Sequence, residues 1–343
     1  MNSFWNDKRV LVTGHTGFKG GWLSLILKNF GAKVYGVSSN EMEGVYKLLE
    51  LNKLIDDEIF TDISDKEDKI ESFVKKTNTE IIFHFAAQSL VPYAFDNPFE
   101  TIKTNLLGTF NMLEISNRNK NISTIVIATT DKVYLNAHEW NNEFSAIGGK
   151  EFYSISKVFT EISIENFLNL YKREDLNISV VRSGNVIGGG ERGNRRLLTD
   201  IYSSIINNEP LNVRNKNSIR PWQDVLDSLS GYLKVAEFSE SSNQSEVFNL
   251  NSKNNNSFTV GDLIELYLDC WGQNIKVNFL EDNKLTESAE LRLDSSKAQS
   301  VLDWDPKISL EESIQKIVSW EKTNLKESAL NISNQYINDY FYG

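Results

Sequence analysis

Arg9-Val-Leu-Val-Thr-Gly-His-Thr-Gly-Phe-Lys-Gly20 runs from an apolar, β-branched segment straight into three glycines spaced G-x-x-G-x-x-G. Its first five residues read as a buried strand, and Lys19 to Asn29 as the helix that follows. A glycine-rich turn between strand and helix brings backbone N–H groups and the positive end of a helix dipole to one point, which suits a pyrophosphate. Glycine turns are common, so the spacing alone is a weak signal. In this setting Gly14, His15, Thr16, Gly17, Phe18, Lys19 and Gly20 read as the cradle of a dinucleotide.

Working outward, Lys33-Val-Tyr-Gly-Val37, Glu80-Ile-Ile-Phe-His-Phe85, Thr124-Ile-Val-Ile-Ala128 and Ile178-Ser-Val-Val-Arg182 are further apolar runs. Helical spacing over 99–115 and 152–171 separates the later ones. Strands alternating with helices of this length predict right-handed crossovers and a doubly wound parallel α/β sheet, covered on both faces. The alternation fades after Arg182. Gly188-Gly-Gly190 and the arginine-rich stretch from Arg192 to Arg220 read as loops and short helices of a smaller, mixed substrate lobe. Val247-Phe-Asn-Leu250 is expected to return to the sheet, and 310–325 to form a closing amphipathic helix. The expected division is residues 1–183 with about 222–252 in the dinucleotide lobe, and about 184–221 with 253–343 in the other. Asn254-Asn255-Asn256 reads as a loop.

With 343 residues, 40% apolar and 24% charged, the composition is that of a globular protein with a sizeable core. The formal charge of −11 disfavours nucleic-acid or anionic-membrane surfaces. A phosphorylated ligand therefore needs locally gathered arginines. No run nears the ~20 apolar residues of a spanning helix, and the first nine residues lack the apolar core of a signal peptide. One cysteine, Cys270, forms no internal disulfide and fits a reducing cytoplasm. No metal is expected.

Two short motifs carry the chemistry. Tyr153-Ser-Ile-Ser-Lys157 places an amine one helical turn after a phenol, where its charge favours the phenolate. Thr130-Asp131-Lys132 follows an apolar strand, at the edge where ligands of such sheets lie. A simple dehydrogenase needs one acid/base group. Removing water needs an oxidant, a base and an acid, and this chain carries candidates for all three. Asp62 is a candidate for the adenine amino group or a helix-capping carboxylate. Ser38-Ser39-Asn40 leaves NAD against NADP open, with Lys19 a possible partner for a 2′-phosphate. Asn185, Arg196, Arg214, Arg220 and Arg292 are candidates for a nucleotide diphosphate, because forked guanidinium groups match phosphate oxygens.

These motifs resemble the extended short-chain dehydrogenase/reductase superfamily, and within it the CDP-glucose 4,6-dehydratases. The likeness is nearly full length: Phe4-Trp5, the Thr13–Gly20 turn, Thr129-Thr-Asp-Lys132, the tyrosine motif, Gly184-Asn-Val-Ile-Gly-Gly-Gly190 and Ser218-Ile-Arg-Pro-Trp-Gln223. The glycine turn and Tyr-x-x-x-Lys mark only the superfamily. Thr-Asp-Lys and Arg-Pro-Trp-Gln are more specific. Asn40, Arg192 and Asp224 depart from the family's usual residues, and 134–148 is short. The resemblance implies a nicotinamide cofactor, NAD, and a nucleotide-diphosphate hexose, on a homodimer. It implies Tyr153 with Thr130 acting at C4, Lys132 as base at C5, and Asp131 as acid for the C6 hydroxyl. It also implies cofactor contacts from Ile63, Ala86, Ala87, Gln88 and Asn105, the last either an orienting residue or packing polarity. Gln88 and Ser89 are implied to line the sugar pocket.

Overall fold

The computed structural model describes residues 2–65, 67–136, 139–193, 195–253, 258–280, 292–325 and 327–343. The loop expected at Asn254–Asn256 lies outside them. Seven parallel strands form the central sheet. Their order is Val247–Leu250, Asn177–Ser183, Thr124–Ala128, Ile81–His84, Arg9–Thr13, Lys33–Ser38 and Asp57–Phe60. Successive side chains of the first strand take opposite faces: Val10 and Val12 enter one apolar core, Leu11 the other. Helices cover both cores, as the uninterrupted apolar strands predicted. Strand order reverses beside Arg9–Thr13, which pairs with Lys33–Ser38 on one side and Ile81–His84 on the other. That reversal opens the crevice in which ligands of such sheets bind.

The expected return of Val247–Leu250 is seen, in parallel register with Val180–Ser183. Other elements differ from the sequence reading. Asp57–Phe60 forms the seventh strand, although its acidic start hid it. The helix expected over 99–115 is Pro98–Ile102 and Gly108–Arg118, joined through a π-turn at Lys103–Leu107. The arginine-rich stretch holds a regular helix, Leu197–Asn207, and a strand, Leu211–Arg214. Val225–Ser242 is an 18-residue helix with most of its residues buried against the sheet. Its serines made it look polar.

The smaller lobe has its own core of Ile187, Leu198, Ile201, Leu211, Val213, Leu263, Ile264 and Tyr267, joined by Ile314 and Ile317. Residues beyond 293 do not belong to it alone. Ala298, Leu302, Trp304, Trp320, Ile332 and Ile337 lie in the sheet's core, so the expected boundary at 253 is crossed by helices that return to the dinucleotide side. Asn29 donates to Asn334 at 2.9 Å, and Phe30 packs edge-on against Phe341. This places helix Ala329–Tyr342 beside the first helix, Phe18–Asn29.

Candidate active site

A cavity of about 830 Å³ runs along the carboxyl edge of the sheet into the smaller lobe. At the switch point Gly14 has φ +73°, and a Cβ there would lie 2.8 Å from Ala86 N. A Cβ on Gly20 would lie 2.1 Å from Gly14 O, so the turn closes only on glycine. Helix Phe18–Asn29 starts at Gly17 with no side-chain cap and no acid in its first turn. Its first N–H groups therefore face the cavity without a side chain to satisfy them, which fits a dinucleotide pyrophosphate.

Gly14, Gly17, Phe18, Lys19, Gly20, Asp62, Ile63, Ala86, Ala87 and Gln88 all line the cavity. His15 and Thr16 do not. His15 is buried, bonded to Glu58 at 2.7 Å and Ser38 at 3.0 Å, and Thr16 donates to Asn40 O at 2.9 Å. Both brace the turn from behind. Asp62 caps no helix: it accepts from Ser64 N at 2.8 Å in a local turn ahead of helix Glu67–Thr77, while still lining the cavity. Asn105, too, makes no direct contact with the cavity. It is fully buried, accepts from Gln88 N at 2.8 Å, and donates to Gln88 O at 2.9 Å and Ser156 Oγ at 2.8 Å. It is a clamp on the Gln88 backbone, seated in the π-turn that the helix makes around it.

Lys19 does not reach toward Ser38-Ser39-Asn40. Its amine sits 3.3 Å from Tyr232 OH and over the rings of Phe85 and Tyr232. Burial and the charge of Arg196 lower it to about 8, against the pull of Asp131.

The catalytic candidates come from two elements. Strand Thr124–Ala128 ends in a short turn, Asp131–Val133, capped by Thr130, whose hydroxyl accepts from Lys132 N. Helix Phe152–Leu170 opens with a capping box in which Glu151 accepts from Tyr153 N and Ser154 N, fixing Tyr153 in the first turn. Thr130, Lys132, Tyr153 and Lys157 line the cavity together. Burial raises the pKa of the Tyr153 phenol, opposed by the nearby Thr130 hydroxyl and the charge of Arg196. The charge expected from Lys157 works less directly: its amine donates to Ala128 O at 3.0 Å. Burial and Lys19 lower that amine to about 7, against Glu161.

Asp131, the acid expected from the sequence, does not itself line the cavity: it is buried next to Thr130, with Oδ1 accepting from Thr130 Oγ1 at 2.9 Å. Its Oδ2 has no hydrogen-bond partner among the described residues. Burial raises its pKa, against the charges of Lys132 and Arg220 and the Thr130 bond. A proton on Oδ2 would break no existing hydrogen bond, so burial makes the neutral acid easier to form here than in water.

Ser89, Asn185, Arg196, Arg214 and Arg220 line the same cavity, and Arg196 donates to Ser89 Oγ at 2.7 Å. Arg292 does not line it, lying in a short strand beside Trp140. Arg192 lines the wall but is held by Glu321 at 2.5 Å and stacked 4.1 Å from the Tyr202 ring. Sequence reasoning missed Glu191, Asp200 and Asn212 on the far wall. The alternation of Leu211 and Val213, buried, with Asn212 and Arg214, exposed, was the available signal.

Comparison with known proteins agrees with this geometry. The family model described as GDP-mannose 4,6 dehydratase matches residues 11–317. CDP-glucose 4,6-dehydratase of Salmonella typhimurium is 38% identical, over 98% of this chain and 97% of that protein. Among solved structures, UDP-glucose 4-epimerase of Thermotoga maritima with UDP-glucose superposes with a TM-score of 0.81 at 25% identity, covering 92% of this chain and 99% of that one. The dTDP-glucose 4,6-dehydratase of Bacillus anthracis in complex with NAD gives 0.77 at 21%, covering 92% and 97%. By that family match and that full-length identity, the chain belongs to the GDP-mannose 4,6 dehydratase family.

Proposed function

We propose that this chain is a nucleotide-sugar 4,6-dehydratase that converts CDP-D-glucose to CDP-4-dehydro-6-deoxy-D-glucose and water. The observation that carries the reading is an amine, a phenol and a hydroxyl, from Lys132, Tyr153 and Thr130, lining one cavity, with the buried Asp131 carboxyl bonded to Thr130 behind them. The relative named for CDP-glucose supports the nucleotide. NAD fits the cradle, and Lys19, the one cation the sequence offered for a 2′-phosphate, is turned to Tyr232 instead. Gly14, Gly17, Gly20 and the first N–H groups of helix Phe18–Asn29 would hold its pyrophosphate. Bound there, NAD supplies the two-electron acceptor that oxidises C4 and gives the electrons back at C6.

In this reading Tyr153, through Thr130, takes the C4 hydroxyl proton. The 4-keto group acidifies C5, and Lys132 takes that proton. Asp131 gives its proton to the C6 hydroxyl, which leaves as water, and the proton on Lys132 returns to C5. Each role asks for one proton and one residue. The arginines facing the cavity, Arg196, Arg214 and Arg220, would hold the diphosphate.

Incubation with CDP-, dTDP-, UDP- and GDP-glucose in heavy water tests the assignment. CDP-glucose is expected to give a 4-keto-6-deoxy sugar carrying one deuterium at C5, without net NADH. No turnover of any of the four rejects the reading. A product inverted at C4 with no deuterium at C5 makes the chain a 4-epimerase instead.

The location in the reading is the cytoplasm, in keeping with the single thiol Cys270. Among the described residues no helix is long and apolar enough to cross a membrane. The assembly is a homodimer built on the Tyr153 helix and the helices beside it. Support comes from large apolar side chains left exposed there: Phe95, Phe99, Leu107 and Phe110, with Phe159 and Ile162 on the Tyr153 helix. Phe99→Asp combined with Ile162→Asp is expected to halve the mass seen by sedimentation equilibrium. A wild-type protein that sediments as a single chain removes the dimer.

A further inference from the structure

We infer that Glu161 is a positioning residue for the catalytic centre, its buried carboxylate holding the segment 129–132 and the Lys157 amine in register. The inference rests on the catalytic reading above. Glu161 stands one turn after Lys157 on helix Phe152–Leu170, so the two share a face. Its carboxylate accepts from Thr129 Oγ1 at 2.6 Å, from Arg182 Nε at 3.0 Å and from Arg182 Nη2 at 2.5 Å. Thr129 immediately precedes Thr130-Asp131-Lys132, and its N–H donates to Val181 O at 2.9 Å. Arg182 is fixed from its other side by the Tyr134 hydroxyl at 2.9 Å and Glu143 O at 3.2 Å. One carboxylate therefore ties the end of strand Thr124–Ala128, strand Asn177–Ser183 and the helix that carries both Tyr153 and Lys157.

None of these groups touches the cavity through Glu161, which does not line it. The carboxylate acts through its neighbours. The Lys157 amine is bound to Ala128 O, one residue before Thr129, so anchoring Thr129 also fixes the acceptor of that amine. The charged and titratable groups facing the amine are Lys19 from the first helix, His84 from strand Ile81–His84, and Glu161. Burial and Lys19 favour the neutral amine, and burial holds His84 neutral, near a pKa of about 3. Glu161 is the negative charge opposing them. Removing it lets the amine lose its proton at lower pH, while the Thr129 anchor goes with it.

The test uses the full chain with added NAD and CDP-glucose. Glu161→Gln is expected to lower kcat about tenfold with KM within twofold. The alkaline limb of the kcat profile is expected to move about one unit toward lower pH, the lower end of the shift a close opposite charge produces. Competitive acetic-anhydride labelling of Lys157, read by mass spectrometry across pH, should show the same displacement without reference to activity. Thr129→Val removes the anchor and leaves every charge in place, so kcat falls and neither the limb nor the labelling moves. Glu161→Asp should recover both. A folded Glu161→Gln protein with wild-type labelling and an unmoved limb overturns the inference. If that variant does not fold, wild-type kcat in Thr129→Val overturns it. Failure of the wild-type protein to turn over any nucleotide-glucose defeats the dehydratase reading instead, and the labelling result still decides the role of Glu161.

Discussion

Asp131→Asn is expected to lower the rate of water loss by about 10²–10⁴-fold, the usual worth of a positioned proton donor. The amide matches the carboxyl in shape, and Oδ1 keeps the Thr130 hydroxyl as donor. The single change is that no proton is available for the departing C6 hydroxyl. C4 oxidation and C5 exchange use other residues, so substrate recovered from heavy water should still carry deuterium. Lys132→Ala should lose that exchange as well. The stability consequence has the opposite sign. Burial raises the folded pKa of Asp131, so its favourable contribution is complete below the unfolded carboxyl value and is lost as pH rises through the folded one. At pH 8 the asparagine variant removes a group that is ionised in the unfolded chain and resists ionisation in the folded one. It should melt no lower than the parent. A variant that keeps a tenth or more of the activity, or melts well below the parent at pH 8, assigns Asp131 to scaffolding.

Gly20→Ala should abolish retention of NAD. The added methyl would sit 2.1 Å from Gly14 O and 2.7 Å from Gly14 C, both backbone atoms. Gly14 has little freedom to retreat, since its N–H is tied to Val37 O at 2.7 Å and its φ is +73°. The strain reaches the switch point itself, and the turn opens. Overpacking of this kind costs about 1–3 kcal/mol, visible as a lower melting temperature. NAD affinity by titration calorimetry should fall at least about 100-fold, since the N–H groups aimed at the pyrophosphate are displaced together. Gly17→Ala is the control: its Cβ would meet only Gly14 O, at 3.2 Å, so it should melt near the parent. Wild-type NAD affinity in Gly20→Ala would show that the turn is not the cradle.

Six strands of the sheet were legible because burial makes them read as apolar runs; the half-buried edge strand Asp57–Phe60 was not. The glycine turn was legible because its conformation excludes side chains. Helix Val225–Ser242 was not, since Ser230 and Ser239 are buried polar groups with partners in distant segments. Ser230 meets Tyr340 and Trp304, which no local pattern announces. The site divides in the same way. Thr130, Asp131, Lys132, Tyr153 and Lys157 sit in contiguous motifs and were found. His15, Thr16 and Asn105 carry the right residue types in the right motif yet spend their side chains on the scaffold. Arginines could not be sorted by sequence, because Arg192 becomes useful to the fold only once Glu321 arrives from 129 residues away.

Helix Ala329–Tyr342 covers the helix that bears the glycine turn, joined to it across 305 residues by the Asn29–Asn334 bond. At about 5–20 residues per second on the ribosome, the first βαβ unit waits roughly 15–60 s for that cover. Phe30 and the apolar flank around it stay open to solvent for the interval. Ribosome stalling shortly before residue 329 should therefore leave Phe30 and the far end of that helix uncovered, at the end away from the glycine turn.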